Sequence, residues 1–111
     1  MTSIDITGYG IVTDPRVPEY VVFLITVQQP PGASWTIYRR YLSFLNLGEQ
    51  LGQRVPGIPA CPQKRISAAE STDEFEKARQ EHLLWLQQVR FKMTPLKQKV
   101  VHSILKLLVG F

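Results

Sequence analysis

Between Trp35 and Phe44 the spacing of apolar residues changes period without a break in the chain. Trp35, Ile37 and Arg39 alternate with Thr36, Tyr38 and Arg40, as on the two faces of a strand. From Tyr41 the apolar positions Tyr41, Phe44, Leu47 and Leu51 recur every three or four residues, as on one side of a helix. A strand that runs directly into a helix requires sheet and helix to be close neighbours. It also leaves Arg39, Arg40 and Tyr41 at the junction, where guanidinium forks and the unpaired N–H groups of a helix start can meet an anion.

The flanking segments supply partners for both halves. Ile4, Ile6, Tyr9 and Ile11 alternate with a phase change around Gly8, which predicts a strand over residues 3–12 with a bulge or bend. Thr13 to Pro18 is rich in turn formers and predicts a connecting loop, and Tyr20 to Val27 is an almost continuous β-branched strand. With a turn at Pro30-Pro31-Gly32, the N-terminal part reads as a three-stranded antiparallel meander.

Beyond the Tyr41 helix, Gly48 and Gly52 weaken helix propensity and predict a fraying end. Pro56, Pro59 and Pro62 lie three apart, on one edge of a stiff, extended polyproline loop. Ser67 with Glu70 and Ser71 with Glu74 are two candidate capping boxes ahead of an apolar stripe of Phe75, Ala78, His82, Trp85, Leu86 and Val89. Thr94-Pro95 then starts a last helix whose predicted buried side is Leu96, Val100, Ile104, Leu107 and Leu108. The predicted class is α+β: a small antiparallel sheet against a helical subdomain, with a proline-rich loop between helices.

Length places the 111 residues in one domain, and 44% apolar residues suffice for a packed core. The chain stops after a strongly apolar helix, as expected of a domain excised from a longer protein. A formal charge of +4 favours an acidic partner. Cys61 is the only cysteine, which rules out an intrachain disulfide and a zinc site built on several cysteines. There is no nucleophile–base pair at catalytic spacing, no phosphate-cradling glycine loop and no metal-ligand spacing, so neither an enzyme nor a bound cofactor is expected. His82, on an apolar stripe, reads as a buried or half-buried structural residue. No helix has a basic face and no paired aromatic platform is present, which argues against a nucleic-acid partner.

Arg39-Arg40-Tyr41-Leu42-Ser43-Phe44, followed by Pro59-Ala60-Cys61-Pro62-Gln63-Lys64, resembles the two signatures of the phox-homology (PX) family, phosphoinositide-binding modules of sorting nexins and related proteins. The resemblance covers nearly the whole chain. It implies that Arg40 holds a 3-phosphate, that Tyr41 forms the floor under the inositol ring, and that Lys64 reaches the 1-phosphate. Arg39 would take a structural or secondary role.

Two departures stand out. Ser43 occupies a position that is commonly acidic, and the family's hydroxyl-binding arginine, seven residues before an aromatic, falls on Ala78 when counted from Trp85. Arg79 is the nearest candidate, offset by one residue or about 100° of helix. By the same resemblance, Ile66, Val55 and Ile58 in the proline loop and Val17 in the first hairpin are candidates for membrane contact. Arg65, Arg54 and Arg16 beside them would add attraction to an anionic surface.

The expected function is recruitment of a larger protein from the cytoplasm to endosomal membranes bearing phosphatidylinositol 3-phosphate. The alternative is a PX-like fold with little lipid affinity that acts as a protein-interaction module. Pro59 to Pro62 also resembles an SH3 ligand.

Overall fold

The computed structural model describes residues 2–62, 67–91 and 94–109. Three strands, β1 (Ser3–Asp14), β2 (Val17–Gln29) and β3 (Ala33–Arg40), form an antiparallel sheet in sequence order. Three helices follow: α1 (Tyr41–Arg54), α2 (Thr72–Phe91) and α3 (Pro95–Val109). The α+β architecture is the one the period change at Tyr41 predicts.

The phase change near Gly8 is a shift in register: Ile6 pairs with Ile25, but Gly8 pairs with Leu24. Thr7 is the extra residue, and on the outer face its hydroxyl lies 3.0 Å from that of Thr26, itself 3.2 Å from that of Thr36. The loop expected over Thr13–Pro18 is much shorter. Strand pairing continues to Asp14 and resumes at Val17, leaving Pro15-Arg16 as the turn. Asp14 closes it by accepting hydrogen bonds from the backbone N–H and guanidinium of Arg16, which also hold its carboxyl below the usual range.

The inner face of the sheet carries Ile4, Ile6, Val21, Phe23, Ile25 and Val27. These pack against Phe44, Leu47 and Leu51 of α1, the predicted stripe of α2, and α3 in one continuous core. Ser71, not Ser67, caps α2, accepting from the Glu74 N–H at 3.3 Å. Ser67 instead closes a local turn with Ala69 and Glu70.

Two helical expectations are corrected. Helix α1 does not fray at Gly48 but continues to Arg54, because Gly48 is a close-contact position: a Cβ there would lie 2.9 Å from that of Cys61. On α3, Leu96 is 75% exposed, and the core is filled by Val101, Ile104, Leu105, Leu108 and Val109. The stripe is rotated from the predicted one because α3 packs against both α1 and α2. The Leu107 side chain lies outside the described set.

Helix α2 runs back along β1. Tyr9 stacks on Phe75 with ring centroids 4.8 Å apart, Arg79 donates to the Ile6 carbonyl, and Arg90 donates to the Thr2 carbonyl. The molecule therefore has two distinct ends. One holds the β1–β2 turn, the start of α2 and, through the pairing of Arg40 with Val22 and of Val22 with Gly10, the β3–α1 junction. The other holds Thr2, the β2–β3 turn and the end of α2, roughly 30 Å away along the helix.

Candidate functional site

Strand alternation sends the two arginines of the junction in opposite directions. Arg39 turns inward, and its Nε donates to the Leu108 carbonyl at 2.9 Å while Nη1 donates to the Tyr38 carbonyl. Trp35, two residues earlier on the same face, donates Nε1–H to the Val109 carbonyl at 2.9 Å. The last carbonyls of α3 have no partners within the helix, so Trp35 and Arg39 supply them from β3. This tie joins residues some seventy positions apart and lies beyond any local signal.

Arg40 turns outward and is exposed. It occupies the N-cap position of α1 in extended backbone, with no side-chain cap bond and no acidic residue in the first turn of the helix. Its guanidinium lies over the Tyr20 ring, 4.0 Å from the centroid. Among the described residues it has no carboxylate partner. A fixed, uncompensated guanidinium beside a helix start is suited to an anion with several oxygens.

Tyr41 is half-buried and stands edge-on to His82, with centroids 6.3 Å apart. Beneath it His82 is also ringed by Phe23 and Phe44, at 5.3 and 5.0 Å. Its Nδ1–H donates to the Ala78 carbonyl at 2.8 Å, and Nε2 is buried with no hydrogen-bond partner among the described residues. Burial lowers the imidazole pKa, so the ring is neutral at neutral pH. The sequence reading of His82 as a buried or half-buried structural residue agrees with this packing.

The remaining expected contacts are distributed differently. Ala78 is packed in the core, and Arg79 is committed elsewhere: Nη1 donates to the Ile6 carbonyl at 2.7 Å, and Nε and Nη2 form an ion pair with Glu76. The bulge at Thr7 sits beside the carbonyl that receives it. The other α2 arginine, Arg90, is engaged at Thr2, at the far end of the molecule. Arg79 would have to release both partners to reach a ligand beside Arg40.

Lys64, Arg65 and Ile66 lie outside the described residues. Val55, a candidate for membrane contact, is instead a core residue at 2% exposure, because the chain leaving α1 folds inward to the Leu51 carbonyl. Ile58 is partly buried against the same core, whereas Val17 at the hairpin turn is 48% exposed. The proline loop is fastened to the fold by Trp85, whose Nε1–H donates to the Pro59 carbonyl at 2.9 Å, and by buried Cys61. Burial pushes the Cys61 thiol up to about 11, so it is protonated at neutral pH and serves as a packing group.

Comparison with known proteins agrees with this architecture. The PX domain family model matches residues 28–107, from the end of β2 through most of α3. Sorting nexin-16 of Mus musculus is 33% identical over 76 residues, which are 68% of this chain and 22% of that protein. Sorting nexin-16 of Homo sapiens is 32% identical over 76 residues, with the same coverage. The chain thus matches about a fifth of the length of these relatives. The X-ray structure of a designed CISK-PX domain superposes with a TM-score of 0.72 at 26% identity, covering 91% of this chain and 95% of that one. With its meander, its strand-to-helix junction and its helical half all matched, the chain belongs to the PX domain family.

Proposed function

We propose that this chain binds the phosphorylated headgroup of a phosphoinositide at the β3–α1 junction and so recruits the protein that carries it to a membrane. The observation that carries this reading is the state of Arg40: outward-facing, free of any carboxylate among the described residues, and held over Tyr20 at the start of α1. Membership of the PX family and similarity to sorting nexins support it. The lipid we favour is phosphatidylinositol 3-phosphate on endosomes, with Tyr41 under the ring and Lys64 at the 1-phosphate. No described helix is long and apolar enough to cross a membrane.

A second reading has its own observation. Position 78 is a core alanine, and Arg79 is tied to Glu76 and β1. A site without an α2 arginine holds the inositol hydroxyls less well, which favours a PX fold used to bind proteins.

Flotation of the chain with liposomes that differ only in phosphoinositide separates the two. Selective binding to 3-phosphorylated liposomes is expected. Arg40→Ala should weaken it roughly tenfold to a hundredfold, the worth of a charge-assisted hydrogen bond to phosphate. Arg39→Ala should lower the unfolding temperature while keeping the lipid preference, because its bonds go to α3. Arg79→Ala should leave lipid binding unchanged if its ties to Glu76 and Ile6 persist in the complex. Absence of selective flotation would sink the recruitment reading for this chain.

A further inference from the structure

At the end of α2 away from the β1–β2 turn, its last turn and the middle of α3 enclose an open groove of about 610 Å³. Val101 and Leu105 form its floor, and Phe91, 54% exposed, stands at its wall. Arg90, Lys99 and His102 line it, and among the described residues no acidic side chain does. The carboxylates in the first turn of α2, Asp73 and Glu74, lie at the opposite end of that helix.

Arg90 sharpens the electrostatics. It is half-buried, and burial pulls its pKa down. Among the described residues its guanidinium contacts neutral groups: the Thr2 carbonyl at 2.8 Å and the Phe91 ring, 4.7 Å from the centroid. Neither it nor Lys99 has a carboxylate partner among the described residues. A partly desolvated cation beside an apolar floor is favourable ground for a carboxylate brought in from outside, because attraction rises as water is excluded.

The geometry points to this groove as a docking site for an acidic peptide segment of a partner protein that carries an apolar anchor side chain. The anchor sits on Val101 and Leu105 against Phe91, and its flanking carboxylates face Arg90 and Lys99. The position selects a peptide over a lipid surface. The β1–β2 turn lies by the start of α2, and Arg90 is about 27 Å along the helix from Thr72, so a bilayer engaged at that turn leaves the groove open to solvent. Both contacts can then be made at once, and their affinities combine through effective concentration.

The test uses the whole chain and a short fluorescein-labelled peptide of Asp and Glu residues around a central Phe-Leu pair. A second peptide has every acidic residue replaced by Lys. Anisotropy should report binding of the acidic peptide only, and amide shifts in an NMR titration should centre on Arg90, Phe91, Gln98, Lys99, Val101 and His102. Lys99→Glu and Phe91→Ser, both at exposed positions, should each weaken binding roughly tenfold without changing the unfolding temperature. Arg40→Ala should have no effect. No binding, equal binding of the Lys peptide, or shifts centred on Arg40 each overturns the proposal. So does a response of the groove amides to phosphatidylserine vesicles that matches or exceeds the response to the peptide.

Discussion

His82 shows how much of this protein is decided at single side chains. An imidazole on the core face of α2 is surrounded by Phe23, Phe44 and Tyr41, with one ring nitrogen bonded to Ala78 and the other without a partner among the described residues. Burial lowers its folded-state pKa below the ordinary 6.5. The unfolded chain therefore takes up the proton first as pH falls. Stability from the neutral ring is complete above about pH 6.5 and is lost as pH drops from there through the folded pKa, by at most about 1.4 kcal/mol per pH unit. Thermal melts between pH 7.5 and 5 should show this loss in the native chain and a flatter profile in His82→Leu. Equal slopes would remove His82 as the cause. The neighbouring arginines carry a different lesson. Alternation along β3 is enough to predict that Arg39 and Arg40 diverge, but nothing local announces that Arg39 would close the end of α3 or that Arg79 would close on β1.

Within the elements, glycines that look alike in sequence take different roles. Gly48 and Gly52 sit one turn apart on α1 and carry the same propensity cost. Gly52 is exposed with open space around its α-carbon, whereas Gly48 faces the proline loop with Cys61 in contact range. Gly52→Ala should stabilise the fold by about 0.5–1 kcal/mol. Gly48→Ala should destabilise it by about 1 kcal/mol net, because overpacking of about 1–3 kcal/mol outweighs the propensity gain. Chemical denaturation of both variants checks the opposite signs, and a stabilised Gly48→Ala would show that the loop yields freely. The strands and helices were legible from period and caps. Their ends were not: strand pairing overran the turn formers at Thr13 and Pro18, and neighbouring helices rotated the buried side of α3 away from Leu96.

Across the whole molecule, antiparallel alignment of β1 with α2 gathers the hairpin turn, the β3–α1 junction and the start of α2 at one end. Val17, exposed at that turn, is placed to enter a bilayer engaged by Arg40 in the proposed reading, while Val55 is excluded by its burial. Val17→Asp should reduce partition onto phosphoinositide liposomes roughly tenfold, the value of about one buried aliphatic side chain, with headgroup preference retained. Cosedimentation at two salt concentrations distinguishes this apolar loss from a change in screened attraction. Unchanged partition would place membrane insertion elsewhere.

The sequence by itself determined the class of fold and the family. Hydrophobic period, helix caps and the Arg39-to-Phe44 junction are local properties, and each acts within a turn or two of the chain. The tertiary structure decided which charges are spoken for. Arg39, Arg79 and Arg90 are drawn to backbone carbonyls roughly seventy to ninety residues away, Val55 is drawn into the core, and Arg40 is left facing solvent. A buried or edge carbonyl that lacks a partner takes the nearest donor in space, whatever its distance in sequence.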